Sequence, residues 1–489
     1  MGPSSLPARR ALGAAGITVS LIGWLAFVEL TSGVLQGYYV PLVSDIVRHL
    51  GIHDADFNWF EAGQLLLSAL VVPILAKLGD MFGHKRILLV TTALTAAASW
   101  ALVFADSFPV FLIAWALQGF YVVWLPLEIA LIFDRGRRTG APLHRMRRAA
   151  GLLIVALEGG AILGAVGSGI VFDAVEGALV PTLMVPAICV TVAFLAVLLG
   201  VPASRPERGR QLDLGGFVLL SLSLVAIMSG LTFLRINGPG SVASWAVIVV
   251  GVALLWPFGR HELRHPDPAI DLRVVRRPQA WPIHLTAGLV GISLLGAQAP
   301  LSTYAGTDPA LGYGLGLPAS ARSLLIGAYL LSMIVGALAF APLSRRLSPR
   351  TTLIAAATLV AIGYLLFLPF HLETLHVYIN MSIAGIGAGA LMGALPAAAA
   401  ASAPPEQTGA ATALTNTTKT IGGAFASAVF GMVLLAGVAQ AAGVDGQAAS
   451  LSGYMIVWSV CGLGAALAAA LLFVVPRQAF AEMESVDER

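Results

Sequence analysis

The sequence predicts an all-α integral membrane protein. Three observations carry that expectation: the composition, a long series of apolar runs, and cations placed on one side only. Of 489 residues, 58% are hydrophobic and 11% charged, and the mean hydropathy is +0.87. No soluble domain buries that much apolar side chain. A membrane-spanning helix needs about 20 apolar residues. Roughly fourteen such runs follow one another, at about 14–40, 57–77, 87–105, 109–133, 149–172, 180–201, 214–235, 243–259, 280–303, 321–342, 351–370, 376–400, 408–437 and 452–474. Cys189 and Cys461 both fall inside apolar runs, so they read as packing residues and not as a disulfide framework.

The cations fix an orientation. Arg9 and Arg10 precede the first run; Lys77, Lys85 and Arg86 lie between the second and third. Six arginines from Arg135 to Arg148 crowd the next even loop. Arg205, Arg208 and Arg210, then Arg260 to Arg277, then Arg345, Arg346 and Arg350, then Arg477 continue the series. The other side holds at most Arg48, Arg235 and Arg322. This asymmetry places both termini in the cytoplasm and the chain in the cytoplasmic (inner) membrane. An even number of spans agrees with it. Arg9-Arg10 as a twin-arginine export signal fits poorly, because the apolar segment after it is too long and no clear cleavage site follows.

Pro-, Arg- and Gly-rich segments at 202–214 and 260–281 divide the spans into six, two and six. Residues 1–201 are expected to form one six-helix bundle, 202–279 a linker carrying two further spans, 280–474 a second bundle, and 475–489 a cytoplasmic tail. The two bundles show internal repetition. LAKLGDMFGHKR (Leu75 to Arg86) and PLSRRLSPR (Pro342 to Arg350) occupy matching turns, and Gly159-Gly160-Ala161 returns as Gly422-Gly423-Ala424. Related halves around a midplane site are a common build of secondary transporters, although glycine pairs are frequent in packed membrane helices in any case.

Several of these motifs resemble the major facilitator superfamily, and its fourteen-helix drug/proton antiporter branch in particular. LAKLGDMFGHKR resembles the loop between the second and third helices, with Ala76 at the family's leading glycine and Met81 at the arginine after its Asp. The alternative for this loop is an ordinary positively charged flank. More specific are Gln211-Leu212-Asp213-Leu214-Gly215-Gly216 before the seventh span, then Glu262, Pro266 and Pro268-Ala269-Ile270-Asp271-Leu272 before the ninth. GIGAGALMGALPAAAA and PPEQTGAATALTNTTKTIGGAFASAVFG resemble the twelfth and thirteenth helices. The resemblance covers nearly the whole chain. It implies two pseudo-symmetric six-helix bundles rocking around a central cavity, with Asp80, Gly83, Lys85 and Arg86 latching the cytoplasmic side.

Ionisable groups at membrane depth cost about 2.5–3.5 kcal/mol to insert, so each needs a reason. Glu29 lies midway in the first span, with Gly33 and Gln36 at helical spacing. Glu158 lies midway in the fifth. Both are candidates for carrying protons, with a static interhelical hydrogen bond as the alternative. Lys419 lies midway in the thirteenth span beside Thr412, Asn416 and Gly423. Glu128 follows Tyr121 and Trp124 by seven and four residues, an aromatic–acid stripe suited to a lipophilic cation. The alternative is that the rings pack and Glu128 pairs with the arginines of the next loop. Gln36, Tyr121, Trp124, Glu128, Asn416 and Lys419 are therefore the candidate substrate contacts. Glu61 is placed near the outer surface.

The chain also departs from the family pattern. In AWALQGFYVVWLP, Gln118, Gly119 and Pro126 match, but Trp115 stands where the resemblance implies an arginine that tunes proton transfer. In the fifth span Gly160, Gly164 and Gly169 match, while Ala165 replaces a proline and Ser168 a glycine; small residues there still permit close packing. Glu29-Leu30-Thr31 lies about one turn too early relative to Pro41 for the family's acid–Thr pair. No phosphate-binding loop is present, so ATP is not the energy source, and no enzyme motif is found. The nine histidines show no metal-ligand spacing; His371 and His376 read as solvated, His284 as packed or cavity-lining. No cofactor and no metal are expected. The resulting expectation is a monomeric, non-enzymatic carrier in the lipid bilayer, with a small-molecule substrate, protons as the coupling ion and no nucleic-acid partner. It would export amphipathic drugs or secondary metabolites by alternating access. The rival readings are a proton-independent facilitator or uptake carrier, and a non-transporting receptor or scaffold.

Overall fold

The computed structural model describes residues 19–204, 212–266, 268, 270–403, 408–435 and 448–475. Arg9, Arg10, Arg205, Arg208, Arg210, Gln211, Ala269, residues 404–407, Arg477 and all but residue 475 of the expected tail lie outside them. Among the described residues the regular structure is helical throughout. Thirteen stretches are long and apolar enough to cross a membrane, and a fourteenth helix has 17 residues. At 1.5 Å per residue the latter is about 26 Å long, close to the hydrocarbon thickness.

The first bundle comprises α1 (Val19–Leu50), α2 (Asp54–Phe82), α3 (His84–Val103), α4 (Phe108–Thr139), α5 (Leu143–Ala174) and α6 (Leu179–Gly200). Two linker helices follow, α7 (Leu214–Asn237) and α8 (Val242–Arg264). The second bundle comprises α9 (Trp281–Gly306), α10 (Ala319–Leu347), α11 (Pro349–Leu365), α12 (Thr374–Ala401), α13 (Thr408–Leu435) and α14 (Leu451–Val474). Three spans are broken where proline removes a backbone donor. A 3-10 turn at Val40–Leu42 contains Pro41. Another, Gly119–Val123, precedes Pro126. α9 is interrupted between Leu294 and Gln298, just ahead of Pro300. The first span runs on past the break as the amphipathic segment Val43–Leu50, which the apolar run alone does not reveal.

Glycine sets the closest packing, in the α10–α12 pair through Gly336 and Gly389 and at two crossings that correspond between the bundles. In the α1–α5 pair a side chain at Gly33 would strike the Leu157 carbonyl, and one at Gly160 the Leu30 carbonyl. In the α9–α13 pair Gly291 abuts the Lys419 carbonyl and Gly422 the Gly288 carbonyl. The repeated Gly-Gly-Ala thus marks equivalent helix crossings, where dispersion and backbone approach replace the hydrophobic drive that lipid does not supply. The linker helices lie across the seam between the bundles. Leu220, Leu224 and Phe258 pack with Leu66 and Leu70 of α2 and with Ile421 and Phe425 of α13.

The α2–α3 and α10–α11 turns, on the face that carries most of the arginines (here the basic face), are also equivalent. Each is a single residue at positive φ: Gly83 at φ 98°, ψ 128° and Ser348 at φ 89°, ψ 150°. Only glycine adopts this region readily. Ser348 compensates by capping α11, its Oγ accepting from the Thr351 N–H at 3.3 Å. Backbone strain here is about 1–3 kcal/mol, whereas Ser→Gly at a cap costs a few tenths. Ser348→Gly is therefore expected to stabilise the protein by about 1 kcal/mol, read as a higher melting temperature in detergent. Gly83→Ser should lower it, because its side chain would also meet the Ser204 carbonyl.

Candidate functional site

Between the bundles lies a cleft whose inner end closes into a cavity of ≈110 Å³. Its wall is aromatic and soft: Tyr39, Trp115, Tyr121, Tyr329 and Tyr364 with Met333, Met381 and Met392. Trp115 stands edge-on to Tyr39 at 4.9 Å and to Phe57 at 5.1 Å, and stacks on Phe111 at 5.7 Å. The residue in the family's arginine position therefore fixes an aromatic wall. Two carboxyl groups reach the lining, Glu61 and Glu158, together with the amides Gln36, Gln64 and Gln298. Among the described residues lining it there is no Lys, Arg or His.

Of the sequence candidates, Gln36, Tyr121 and Glu158 line this cavity. Glu61, which the sequence places near the outer surface, joins them. Its signal in the sequence is the stripe Glu61, Gln64, Ser68, a polar face at helical spacing on α2. Ser68 Oγ donates to the Gly119 carbonyl at 3.1 Å and Gln64 Nε2 to the Trp115 carbonyl at 3.3 Å, which ties α2 to the broken α4.

Glu29, Trp124 and Glu128 sit elsewhere. All three are 0% exposed and do not line the cavity. Neither oxygen of Glu29 or Glu128 has a hydrogen-bond partner, nor does Trp124 Nε1. The two carboxyls, on α1 and α4, lie within electrostatic reach of each other. Glu128 makes no ion pair with the arginines of the following loop; Arg138 instead binds Asp134 at 2.7 Å. Lys419 faces Glu158 across the bundles within electrostatic reach, while Asn416, one turn away on α13, is exposed.

The two faces of the molecule differ. Opposite the basic face the bundles are sealed. Arg322 of α10, 2% exposed, is ion-paired with Asp45 of α1. Ser302 Oγ donates to the Val40 carbonyl at 2.5 Å. His53 Nε2 lies 3.2 Å from the Ala448 carbonyl, and burial pushes this imidazole below its ordinary pKa. Gly169 of α5 leaves room for Ser320 and Ser323 of α10. Arg235 of α7 closes the same face, ion-paired with Asp56 and lying over the rings of Trp59 and Phe108 at 5.5 and 5.6 Å.

In the basic-face turn, Asp80 lies in the last turn of α2; its Oδ1 is 3.1 Å from His84 Nε2. Gly83 supplies the positive-φ link. Lys85 Nζ donates to the Leu198 carbonyl at the end of α6 (2.9 Å), and its N–H to Ser204 Oγ (2.9 Å). The second bundle repeats the device: Arg350, the second residue of α11, donates to the Leu472 carbonyl at 3.2 Å and to that of Phe473, at the end of α14. Arg86 is exposed. Gly160 and Gly164 face α1, and Gly169 faces α10. His371 is buried and not solvated, 2.9 Å from the Phe367 carbonyl and packed on Trp458. His284 is buried with Nδ1 3.3 Å from Thr415 Oγ1, outside the cavity lining.

Comparison with known proteins agrees with this architecture. A family model described as Major Facilitator Superfamily matches residues 25–427, and again 309–485. The chain is 28% identical over 449 residues to the puromycin resistance protein pur8 of Streptomyces alboniger, covering 86% of this chain and 84% of that one. It is 26% identical over 337 residues to the uncharacterized MFS-type transporter YfiU of Bacillus subtilis, where the match spans 66% of this chain and only 62% of the relative. Among solved structures, the peptide transporter POT in complex with sulfate superposes with a TM-score of 0.67 at 14% identity, over 98% of this chain and 99% of that one.

Proposed function

The chain belongs to the major facilitator superfamily and is a multi-pass membrane carrier of small molecules, and from that premise we propose that it exports amphipathic, cationic compounds in exchange for protons. One observation carries the reading: the cavity holds two carboxyl groups among aromatic and methionine side chains, with no basic residue in its described lining. A carboxyl there is able to hold a proton or to face a cation, but not both at once, which is the logic of exchange. Rings and thioethers receive the apolar body of the substrate and attract its charge. The similarity to a puromycin resistance protein supports a drug-like substrate.

By the positive-inside rule the basic face is cytoplasmic, and the ion-paired contacts between the bundles lie on the opposite face, which favours loading from the cytoplasm. A drug-sized ligand needs about 300 Å³ or more, so it occupies the open cleft beneath the ≈110 Å³ cavity as well. Glu158 is then the exchange point, because a bound cation competes with Lys419 for it. Glu29 and Glu128 are the internal proton store: an ionised carboxyl without partners away from water is strongly unfavourable, so a proton resides there. The units 1–201 and 280–474 rock about the cleft, with 202–279 as linker, the protein acting as a monomer, and with Asp80, Gly83, Lys85 and Arg86 bracing the cytoplasmic turn.

The test is proteoliposomes carrying an internal pH dye, challenged with a lipophilic cation such as ethidium. Addition should dissipate an imposed pH gradient, and Glu158→Gln should reduce that response about tenfold or more, equal to about 1.4 kcal/mol of barrier. Cation flux without proton movement would establish a facilitator instead. Binding without flux would establish a receptor.

A further inference from the structure

At the basic-face end of the two linker helices, residues 48 positions apart converge. Asp213 caps α7, its Oδ1 accepting from the Gly216 N–H at 2.9 Å. His261, in the last turn of α8, places Nε2 2.7 Å from the same oxygen, and His265, four residues on, places Nδ1 3.7 Å from Oδ2. The two imidazoles are stacked at 5.3 Å. One ligand atom from each of the three residues lies within 4.8 Å of the other two. The sequence contains the signal as His261-Glu-Leu-Arg-His265, a pair one helical turn apart, whose third partner Asp213 is 48 residues away.

A capped helix and a His–Asp hydrogen bond do not account for the fourth group. Glu262 is 0% exposed. Its Oε2 accepts from the Ile270 N–H at 2.9 Å, but its Oε1 is buried with no hydrogen-bond partner. That oxygen and Asp213 Oδ2 both converge on the space a side chain at Gly216 would take. Two carboxyl oxygens that meet in one such space repel unless a proton or a cation lies between them. A divalent cation resolves that arrangement.

We propose that Asp213, His261, His265 and Glu262 form a binding site for a divalent cation of the Zn²⁺ class, which staples the start of α7 to the end of α8. Two imidazole nitrogens and two carboxylate oxygens suit such an ion in tetrahedral geometry. Metal–ligand bonds of about 2.0–2.1 Å set ligand atoms about 3.3 Å apart, so Asp213, His261 and His265, already within 4.8 Å of one another, need modest shifts, and Glu262 Oε1 must turn toward that trio to complete the shell. Binding moves the His261 proton from Nε2 to Nδ1, leaving Nε2 to the metal. The groove beside Trp256, Arg260 and Arg264 gives access from water, and those arginines oppose an incoming cation, which weakens binding.

The experiment uses untagged, chelator-treated full-length protein in detergent, with Co²⁺ as the spectroscopic probe. One equivalent should bind with the visible absorption of four-coordinate Co²⁺ and be displaced by one equivalent of Zn²⁺. His265→Ala and Glu262→Gln, each with an unchanged melting temperature, should each weaken binding at least about tenfold. Equal affinity in wild type and His265→Ala, or no saturable binding in wild type, overturns the site. Weakening by His265→Ala but not by Glu262→Gln overturns the four-ligand assignment.

Discussion

Glu29→Gln and Glu128→Gln are each expected to lower pH-gradient-driven export about tenfold or more while leaving substrate exchange at equal pH near wild type. Glutamine matches glutamate in size and cannot release a proton. Both side chains are wholly buried, so the substitution disturbs little packing and removes only the ionisable group. Neither carboxyl has a hydrogen bond to lose. Their closeness makes their proton occupancies interdependent, so the double variant should be no worse than the more severe single one. The measurement is uptake into inside-out vesicles with and without a gradient, beside counterflow at symmetric pH. Equal loss in both assays, or a lowered melting temperature, would reassign the pair to a structural role.

The largest stability effect is expected at the α1–α5 crossing. Gly160→Val would drive a branched side chain into the Leu30 backbone. Helix backbones cannot yield as a flexible side chain does, so overpacking of about 3 kcal/mol is expected. Gly422→Val should do the same at α9–α13, where the obstacle is the Gly288 carbonyl. Gly159→Ala supplies the contrast: nothing lies within 4 Å of the added methyl. Relief of glycine's helix penalty should then leave stability unchanged or raise it by up to about 1 kcal/mol. Melting temperature and yield of monodisperse protein in mild detergent separate the three. A Gly160→Val protein as stable as wild type would mean that the helices approach less closely than described.

What was legible in the sequence followed the physics that acts locally. The spans were readable because lipid demands continuous apolar length, and α13 and its Gly-Gly-Ala were readable because close backbone approach tolerates only small residues. Glu61 was missed as a cavity residue because a position near a helix end does not say which neighbouring helices it faces; that depends on how α2 packs beside Trp115 and Tyr121. Trp124 and Glu128 shared a stripe with Tyr121, but the 3-10 turn Gly119–Val123 breaks the helical register between them, and of the three only Tyr121 lines the cavity. The seal formed by Asp45 and Arg322 was invisible because its partners are 277 residues apart. His261 and His265 were adjacent on the page, yet Asp213 makes sense of them only once α7 and α8 fold back together.

The paired clamps of Lys85 on α6 and Arg350 on α14 have a mechanical consequence. Each bundle is fastened internally at one corresponding corner, so each behaves as a stiff lever and compliance concentrates where the bundles meet. α10, at 29 residues, is about 44 Å long. A swing of about 10° pivoting at the sealed end would displace its far tip by about 8 Å. On the proposed rocking motion, small rearrangements around Asp45 and Arg322 would be geared up into a shift of that size at the basic face.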